Sequence, residues 1–97
     1  MSASRGNHWW VYIIETDKGN LYTGITTDVD RRWQEHCASA RGEPHARGAK
    51  FFRSQQPLAV VYCKPYPDRQ SASQAEAAIK AMDRQSKLDL VRNAASP

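Results

Sequence analysis

The segment Trp9 to Glu15 restricts the fold more than any other, because it predicts a β-strand with two apolar faces. Alternate residues of a strand point to opposite sides of the sheet. The two apolar sets are Trp10 with Ile14, and Trp9 with Val11 and Ile13. A sheet that contains this strand must be covered on both sides. The chain has 97 residues, so we expect one small domain in which helices pack on a sheet.

The next two segments predict an antiparallel hairpin. Asp17 to Asn20 has turn-forming composition, and Leu21 to Thr26 is a second strand. Tyr12 and Tyr22 share a face only if the numbers of paired residues sum to an even value, which needs a loop of about three or five residues. Their Cβ atoms would then lie about 4.5–8 Å apart. The alternative is an aromatic cross-strand pair with its hydroxyls at the surface.

The first helix is predicted to follow this hairpin directly. Thr27 or Asp28 can cap its start, and it should end before Gly42. Its core-facing stripe is expected at every fourth residue, namely Val29, Trp33 and Cys37. A basic loop from Arg41 to Arg53 should follow, with a short turn near Lys50.

The remainder predicts one more strand and two more helices. The strand is Leu58 to Cys63, started after Pro57 and stopped by Pro65 and Pro67. Ser71 with Gln74, or Ser73 with Glu76, fits a capping box that opens the second helix, whose apolar stripe is Ala75, Ile79 and Met82. Asp83 can cap the third helix. The fold class is therefore α+β, a three-stranded antiparallel sheet flanked by helices in the order β-β-α-β-α-α, over residues 8–93. Residues 1–7 and 94–97 are expected to be flexible termini.

Charge and composition narrow the classes of function. The net charge of +4 equals the excess between Arg31 and Arg53, where six basic residues meet two acids. Such a surface favours a polyanionic partner, most simply nucleic acid, and the alternative is a solvated loop. We expect no membrane helix and no secretory signal. Cys37 and Cys63 have no metal-ligand spacing, and we expect both to be small buried residues of a reduced, cytoplasmic protein.

Four further positions are candidates for chemistry. Gly24 lies inside a strand, which indicates a bulge, a close approach by a ligand or by backbone, or packing against a tryptophan. Arg32 and His36 lie one turn apart and can contact a phosphate, or they can form a solvent-facing pair with Asp28 or Glu35. Glu76 can hold one Mg²⁺, unless it is only the second arm of the capping box. No zinc spacing, glycine-rich phosphate loop or Ser/His/Asp set is present.

Several of these motifs together resemble the GIY-YIG nuclease family. Val11-Tyr12-Ile13 and Tyr22-Thr23-Gly24 resemble its two-part signature, with Thr23 where the family name has isoleucine. Asp28-x-x-Arg31-Arg32-x-x-x-His36 resembles its first-helix motif, and Ala75-Glu76-x-x-Ile79-Lys80 its metal-binding segment. Gly48-Ala49-Lys50 is similar to the small single-domain YhbQ-like subgroup, which usually continues with Tyr-Thr-Arg where this chain has Phe51-Phe52-Arg53. The likeness spans roughly residues 8 to 92. Asn93 is left unassigned.

The resemblance implies an endonuclease that uses one Mg²⁺ or Mn²⁺ held by Glu76. Tyr12 would be the base for water or would order it, and Tyr22 would bind the water or the phosphate. Arg32 would stabilise the phosphorane, and His36 would support proton transfer or phosphate contact. Nucleic-acid contacts are expected from Gly24, Arg31, Lys50 and Arg53.

Three functions follow from these observations. The first is a metal-dependent DNA endonuclease, directed to structure or damage in repair or recombination, with specificity supplied by a protein partner, a homodimer or the substrate's shape. The second is a nucleic-acid-binding module with little or no cleavage activity. The third is a protein-interaction domain whose basic surface is incidental.

Overall fold

The strand with two apolar faces is the central strand of the sheet. The computed structural model describes residues 8–95, without the side chain of Ala95. Strands β1 (Trp9–Thr16), β2 (Leu21–Thr26) and β3 (Pro57–Tyr66) form one antiparallel sheet in the order β2-β1-β3. Helices α1 (Val29–Ala40), α2 (Arg69–Lys80) and α3 (Arg84–Ala95) complete the predicted α+β order. The predicted flexible ends at 1–7 and 96–97 lie outside the described residues, whereas 94 and 95 belong to α3.

The hairpin between β1 and β2 has the register that brings the two tyrosines to one face. Tyr12 pairs with Gly24, and Ile14 pairs with Tyr22, so paired numbers sum to an even value. The Thr16 N–H donates to the carbonyl of Asn20 at 2.9 Å, which leaves a loop of residues 17–19. Gly19 takes a φ of +79°, as the bulged form of a three-residue hairpin loop requires. The expected odd-length loop is therefore confirmed.

Helices cover both faces of the sheet, as the two apolar faces of β1 predict. Val11 and Ile13 pack with Ala72 and Ile79 of α2. Tyr12 and Ile14 pack on the other face with Phe52, which belongs to a short 3₁₀ helix (Lys50–Arg53) at the place of the expected turn. Partly buried residues complete these clusters, among them Leu90 and Val91 of α3 on the first face and Trp33 of α1 on the second.

Helix α1 begins as expected and turns a different face inward. Asp28 is its N-cap, and its Oδ1 accepts the N–H of Arg31 at 3.0 Å. Its buried residues are His36 and Ser39, while the expected core stripe of Val29, Trp33 and Cys37 is only partly buried. The stripe prediction is therefore wrong about the centre of the buried face. The cause is a polar partner on the sheet, since Tyr12 offers His36 a buried hydrogen bond.

Two other boundaries differ from expectation. β3 continues through Pro65, which pairs with Trp10. A proline is tolerated there because β3 is an edge strand and needs no outward N–H. Helix α2 is capped by Asp68, whose Oδ1 accepts the N–H of Ser71 at 2.8 Å, so neither predicted capping box opens it. Glu76 therefore lies well inside α2. The predicted cap at Asp83 is confirmed by its 2.8 Å bond to the N–H of Ser86.

Two further expectations concern membrane-spanning helices and the two cysteines. Over residues 8–95, no helix combines the length and the apolar character that a membrane crossing requires. Cys37 and Cys63 are both free. Cys37 is partly buried but Cys63 is exposed, so the expectation that both are buried is wrong for Cys63.

Candidate active site

A buried hydrogen bond between Tyr12 and His36 forms the centre of the candidate site. Tyr12 Oη lies 2.8 Å from His36 Nε2, and the two residues are 2% and 0% exposed. On its other side, His36 Nδ1 accepts the backbone N–H of Ala49 at 3.2 Å. A neutral imidazole whose Nδ1 accepts must carry its proton on Nε2. We therefore assign His36 as the donor to Tyr12, so the phenol's own proton is not used in this bond.

Burial keeps both groups of this pair uncharged near neutral pH. Burial, with a smaller contribution from the nearby charge of Arg32, lowers the pKa of His36 to about 4. Burial also raises the pKa of the Tyr12 phenol above its ordinary value, and the neighbouring Tyr22 adds to the rise. The Arg32 guanidinium opposes this rise because it favours the phenolate. Tyr12 is thus a protonated phenol in the free protein.

The loop after α1 fixes the His36 ring through a close backbone approach at Gly48. A Cβ at this position would lie 2.6 Å from Ser39 Oγ and 2.7 Å from His36 Cα, closer than real contacts allow. Only a residue without a side chain lets the loop lie this close to α1. The following residue, Ala49, then directs its N–H at His36. This gives the Gly48-Ala49-Lys50 motif a structural role.

Gly24 also allows a close approach, in this case by the Tyr12 ring. A Cβ at Gly24 would lie 2.5 Å from Tyr12 Oη and 2.7 Å from its Cζ, so the phenol occupies the space of the missing side chain. Gly24 is buried. Its close neighbour is a tyrosine rather than the tryptophan considered from the sequence, and the contact between Gly24 and nucleic acid stays a prediction.

Tyr22 lies among aromatic rings next to this pair. Its ring centroid is 6.3 Å from that of Tyr12 and 5.3 Å from that of His36. Phe51 and Phe52 lie at 5.2 and 5.0 Å. Phe52 is fully buried, whereas Tyr22 and Phe51 are partly exposed. Tyr22 therefore has a rigid position and keeps access to solvent.

Arg32 supplies the positive charge of the site. Its side chain is 26% exposed, and Nη1 donates to Glu35 Oε1 and to the carbonyl of Arg47, both at 2.8 Å. These bonds hold the guanidinium beside Tyr12. A guanidinium has five N–H donors, so others remain available to an incoming anion. The expected bridge to Glu35 exists, while His36 is buried and does not face solvent.

Glu76, on helix α2, is the carboxylate whose charge acts on the Tyr12 phenol. Its charge contributes to the raised pKa of Tyr12, and its carboxylate lies 3.2 Å from Lys80 Nζ. Within residues 8–95, no three His, Cys, Asp or Glu side chains form a cluster that could hold a metal ion. One partly exposed carboxylate fits a Mg²⁺ that keeps waters and takes further oxygens from a substrate phosphate. It does not fit a tightly held resident ion.

The basic segment separates into paired and unpaired charges. Arg31 lies 3.8 Å from Glu35, and Arg41 pairs with Glu43. In this segment, the exposed cations that form no ion pair with any described residue are Arg47, Lys50 and Arg53. Arg53 also borders a depression of about 570 Å³ at the C-terminal end of α1.

These features match a known family. The family model of the GIY-YIG catalytic domain matches residues 8–89. The chain belongs to the GIY-YIG family. The recognition made from the motifs is thereby confirmed.

Relatives of this GIY-YIG domain include proteins of the expected small subgroup. The UPF0213 protein DP2720 of Desulfotalea psychrophila is 43% identical over 84 residues, which are 87% of this chain and 71% of that protein. The UPF0213 protein YhbQ of Escherichia coli K12 is 39% identical over 87 residues, 90% of this chain and 80% of YhbQ. The solution NMR structure of the UPF0213 protein BH0048 from Bacillus halodurans has a TM-score of 0.57 at 36% identity, and covers 93% of this chain and 88% of that one.

The structure of this GIY-YIG domain brings the principal sequence candidates together. Tyr12, Tyr22 and His36 are in mutual ring contact, and Arg32 and Glu76 both act electrostatically on Tyr12. Sequence reasoning missed the Ala49 N–H and the Arg47 carbonyl, because backbone groups have no signature of their own. For the Ala49 N–H, the one signal in the sequence was the glycine of Gly48-Ala49-Lys50.

The buried histidine predicts a loss of stability in mild acid. The free energy of unfolding should fall by about 3 kcal/mol from pH 6.5 to pH 4, because the unfolded chain takes up a proton near 6.5 and folded His36 only near 4. Below pH 4 this contribution is constant. The caps Asp68 and Asp83 have pKa values lowered by hydrogen bonds to the N-termini of their helices, so their contributions are lost only at still lower pH.

Urea denaturation at a series of pH values measures this fall. His36→Gln should flatten it, while His45→Gln, at an exposed position, should leave it in place. A fall of the same size in His36→Gln would assign it to other groups.

Proposed function

We propose that this GIY-YIG domain is a divalent-metal-dependent endonuclease that hydrolyses phosphodiester bonds in DNA. We place it in DNA repair or recombination in the cytoplasm, acting on substrate structure or damage. The observation that carries the proposal is that a second phenol lies beside Tyr12, and that the charges of a guanidinium and a carboxylate both act on it. This set can order a water, hold a phosphate and accept a cation. Unpaired basic side chains nearby suit a DNA backbone.

Tyr12 would position the attacking water. His36 donates to Tyr12 Oη, so the phenol's proton can point outward and bond the water. As a base, Tyr12 must first lose this proton, and its raised pKa opposes that step in the free protein. Arg32 favours the phenolate and would also bind the negative charge that develops on the phosphorane. His36 is too buried to contact a substrate and acts as a positioning residue.

Tyr22 and Glu76 complete the proposed arrangement. The partly exposed phenol of Tyr22 would hydrogen-bond the scissile phosphate. Glu76 would hold one Mg²⁺ or Mn²⁺. Bound there, the ion supplies positive charge that polarises the phosphate and stabilises the leaving oxygen.

The second candidate is a binding module with little or no cleavage activity. Two observations favour it: the Tyr12 phenol is protonated in the free protein, and the Glu76 carboxylate is paired with Lys80. Such a module would still bind DNA through its exposed cations, with an affinity that falls steeply as salt increases.

Cleavage of end-labelled DNA tests the two functions. Nicked, branched and single-stranded DNA are incubated with the protein in Mg²⁺, Mn²⁺ or EDTA. We expect cleavage of a nicked or branched DNA that needs the cation and falls about 100-fold or more in Arg32→Ala, the usual cost of removing such a charge stabiliser. Glu76→Gln should abolish cation dependence together with cleavage.

Lys64→Ala is the matched control, since it removes an exposed charge from the opposite edge strand. Cleavage in EDTA, or cleavage at full rate in both site variants, would exclude the proposed site. Salt-sensitive binding without cleavage would select the binding module.

A further inference from the structure

A second recess lies beside the proposed cleavage site. It has a volume of about 220 Å³ and is lined by Asn20, Leu21, Phe51, Arg84 and Lys87. Leu21 is the neighbour of Tyr22 in β2, and the Phe51 ring lies 5.2 Å from the Tyr22 ring. The ring series Tyr12, Tyr22, Phe51 therefore leads from the centre of the site into this recess.

The recess combines an aromatic ring with two cations. Phe51 is partly exposed and Arg84 is exposed at the start of α3, one turn before Lys87. Within residues 8–95, neither Arg84 nor Lys87 forms an ion pair, and the recess has no acidic residue in its lining. Its charge therefore remains available to an anion. The depression at the end of α1 differs, because there Arg41 is neutralised by Glu43.

We propose that Phe51, Arg84 and Lys87 form a subsite for one unpaired nucleotide next to the cleaved phosphate. This inference rests on the proposed function, and it names the class of substrate. An aromatic ring stacks on any base, but only on a base that has left the duplex stack. The recess, at about 220 Å³, is smaller than the roughly 300–1,000 Å³ of pockets that enclose whole small ligands, so it suits the base of one nucleotide with the sugar and phosphate at its rim. The two cations hold its phosphate.

The preferred substrate is therefore DNA with a displaced nucleotide at a nick or branch. A continuous duplex keeps its bases paired and stacked, so it can reach Arg84 and Lys87 but not Phe51. The aromatic ring distinguishes a displaced nucleotide from a continuous duplex, and the cations supply affinity for any strand.

Binding in EDTA tests the subsite without cleavage. Fluorescence anisotropy compares a nicked duplex with the same duplex carrying one displaced nucleotide at the nick. We expect the native chain to bind the displaced form about tenfold more tightly, which corresponds to about 1.4 kcal/mol. Phe51→Leu should reduce this ratio to near one, and Phe51→Trp should preserve it.

The cations are tested through salt dependence, which a purely structural role would not change. Arg84→Ala combined with Lys87→Ala should lower the slope of log affinity against log salt by about 0.7, since the two cations together neutralise one phosphate of a single strand. Lys64→Ala should leave both the slope and the ratio as in the native chain. Because Arg84 is exposed, and Phe51→Leu keeps an apolar side chain, thermal melting should show all variants folded.

The two proposals fail in different ways. A ratio near one in the native chain, or a ratio unchanged in Phe51→Leu, overturns the subsite even if the chain cleaves DNA. A preserved preference for the displaced nucleotide without cleavage in Mg²⁺ or Mn²⁺ supports the subsite and overturns the nuclease.

Discussion

Tyr12→Phe is expected to lower DNA cleavage by about 100-fold or more, in the range typical of a lost acid–base or water-ordering group. The phenol is the one group of the site on which the guanidinium, the second tyrosine and the carboxylate all act. DNA binding should change little, because Tyr12 is only 2% exposed and the exposed cations are untouched. Single-turnover cleavage and anisotropy binding measure the two quantities separately.

The same substitution should cost stability as well. Without the Tyr12 hydroxyl, the His36 Nε2–H is buried with no acceptor, which typically costs about 1–3 kcal/mol. Tyr62→Phe is the matched control, since it removes a hydroxyl from β3 on the other face of the sheet. If Tyr12→Phe cleaved DNA at the native rate while remaining folded, the phenol would have no part in the chemistry.

Gly48→Ala is expected to reduce both stability and cleavage. The new methyl group would meet backbone atoms of Glu35 and His36, which cannot turn away as a side chain can. Overpacking of this kind costs about 3 kcal/mol, so the melting temperature should fall by roughly 10–20 °C. The loop must move off α1, which removes the Ala49 bond that fixes the His36 proton. Calorimetry and the cleavage assay give the two readouts.

Gly42→Ala separates this effect from backbone strain. Gly42 has a φ of +73°, but no atom lies within 4 Å of the position that a methyl group would take, so alanine there costs only about 1 kcal/mol of conformational strain. Its cleavage should remain native. Equal losses in the two variants would show that the contact at Gly48 has no special role.

Local patterns were enough to predict most of the fold. The apolar segment of β1 and the Asp17–Asn20 turn predict the hairpin, although its register came only from the structure, and Asp28 and Asp83 cap helices where their sequences predict. The errors depend on neighbours that are distant in sequence. Whether β3 can contain Pro65 depends on its place at the edge of the sheet, which no local pattern gives. Thr23, where the family triplet has isoleucine, is buried with its Oγ1 unpartnered, so it occupies an apolar position.

The candidate site was predictable in its residues and less so in its geometry. The tyrosines, Arg32 and His36 follow from motif spacing, yet the burial of His36 depends on a phenol that lies 24 positions away. A strand glycine at position 24 indicates a close approach, but only the structure shows that the Tyr12 ring makes it. Glu76 lies inside α2 because Asp68 caps the helix earlier than either predicted capping box.

The Tyr12–His36 bond has an evolutionary consequence, because the same two side chains belong to the core and to the candidate site. A descendant that gave up catalysis would still be selected to keep both, since losing either one opens the core. Their presence in a relative therefore reports on folding as much as on chemistry. Arg32 and Glu76 are partly exposed, and a domain can change them with far less damage to its core. Those two positions are where a homologue that only binds would differ first from one that cuts.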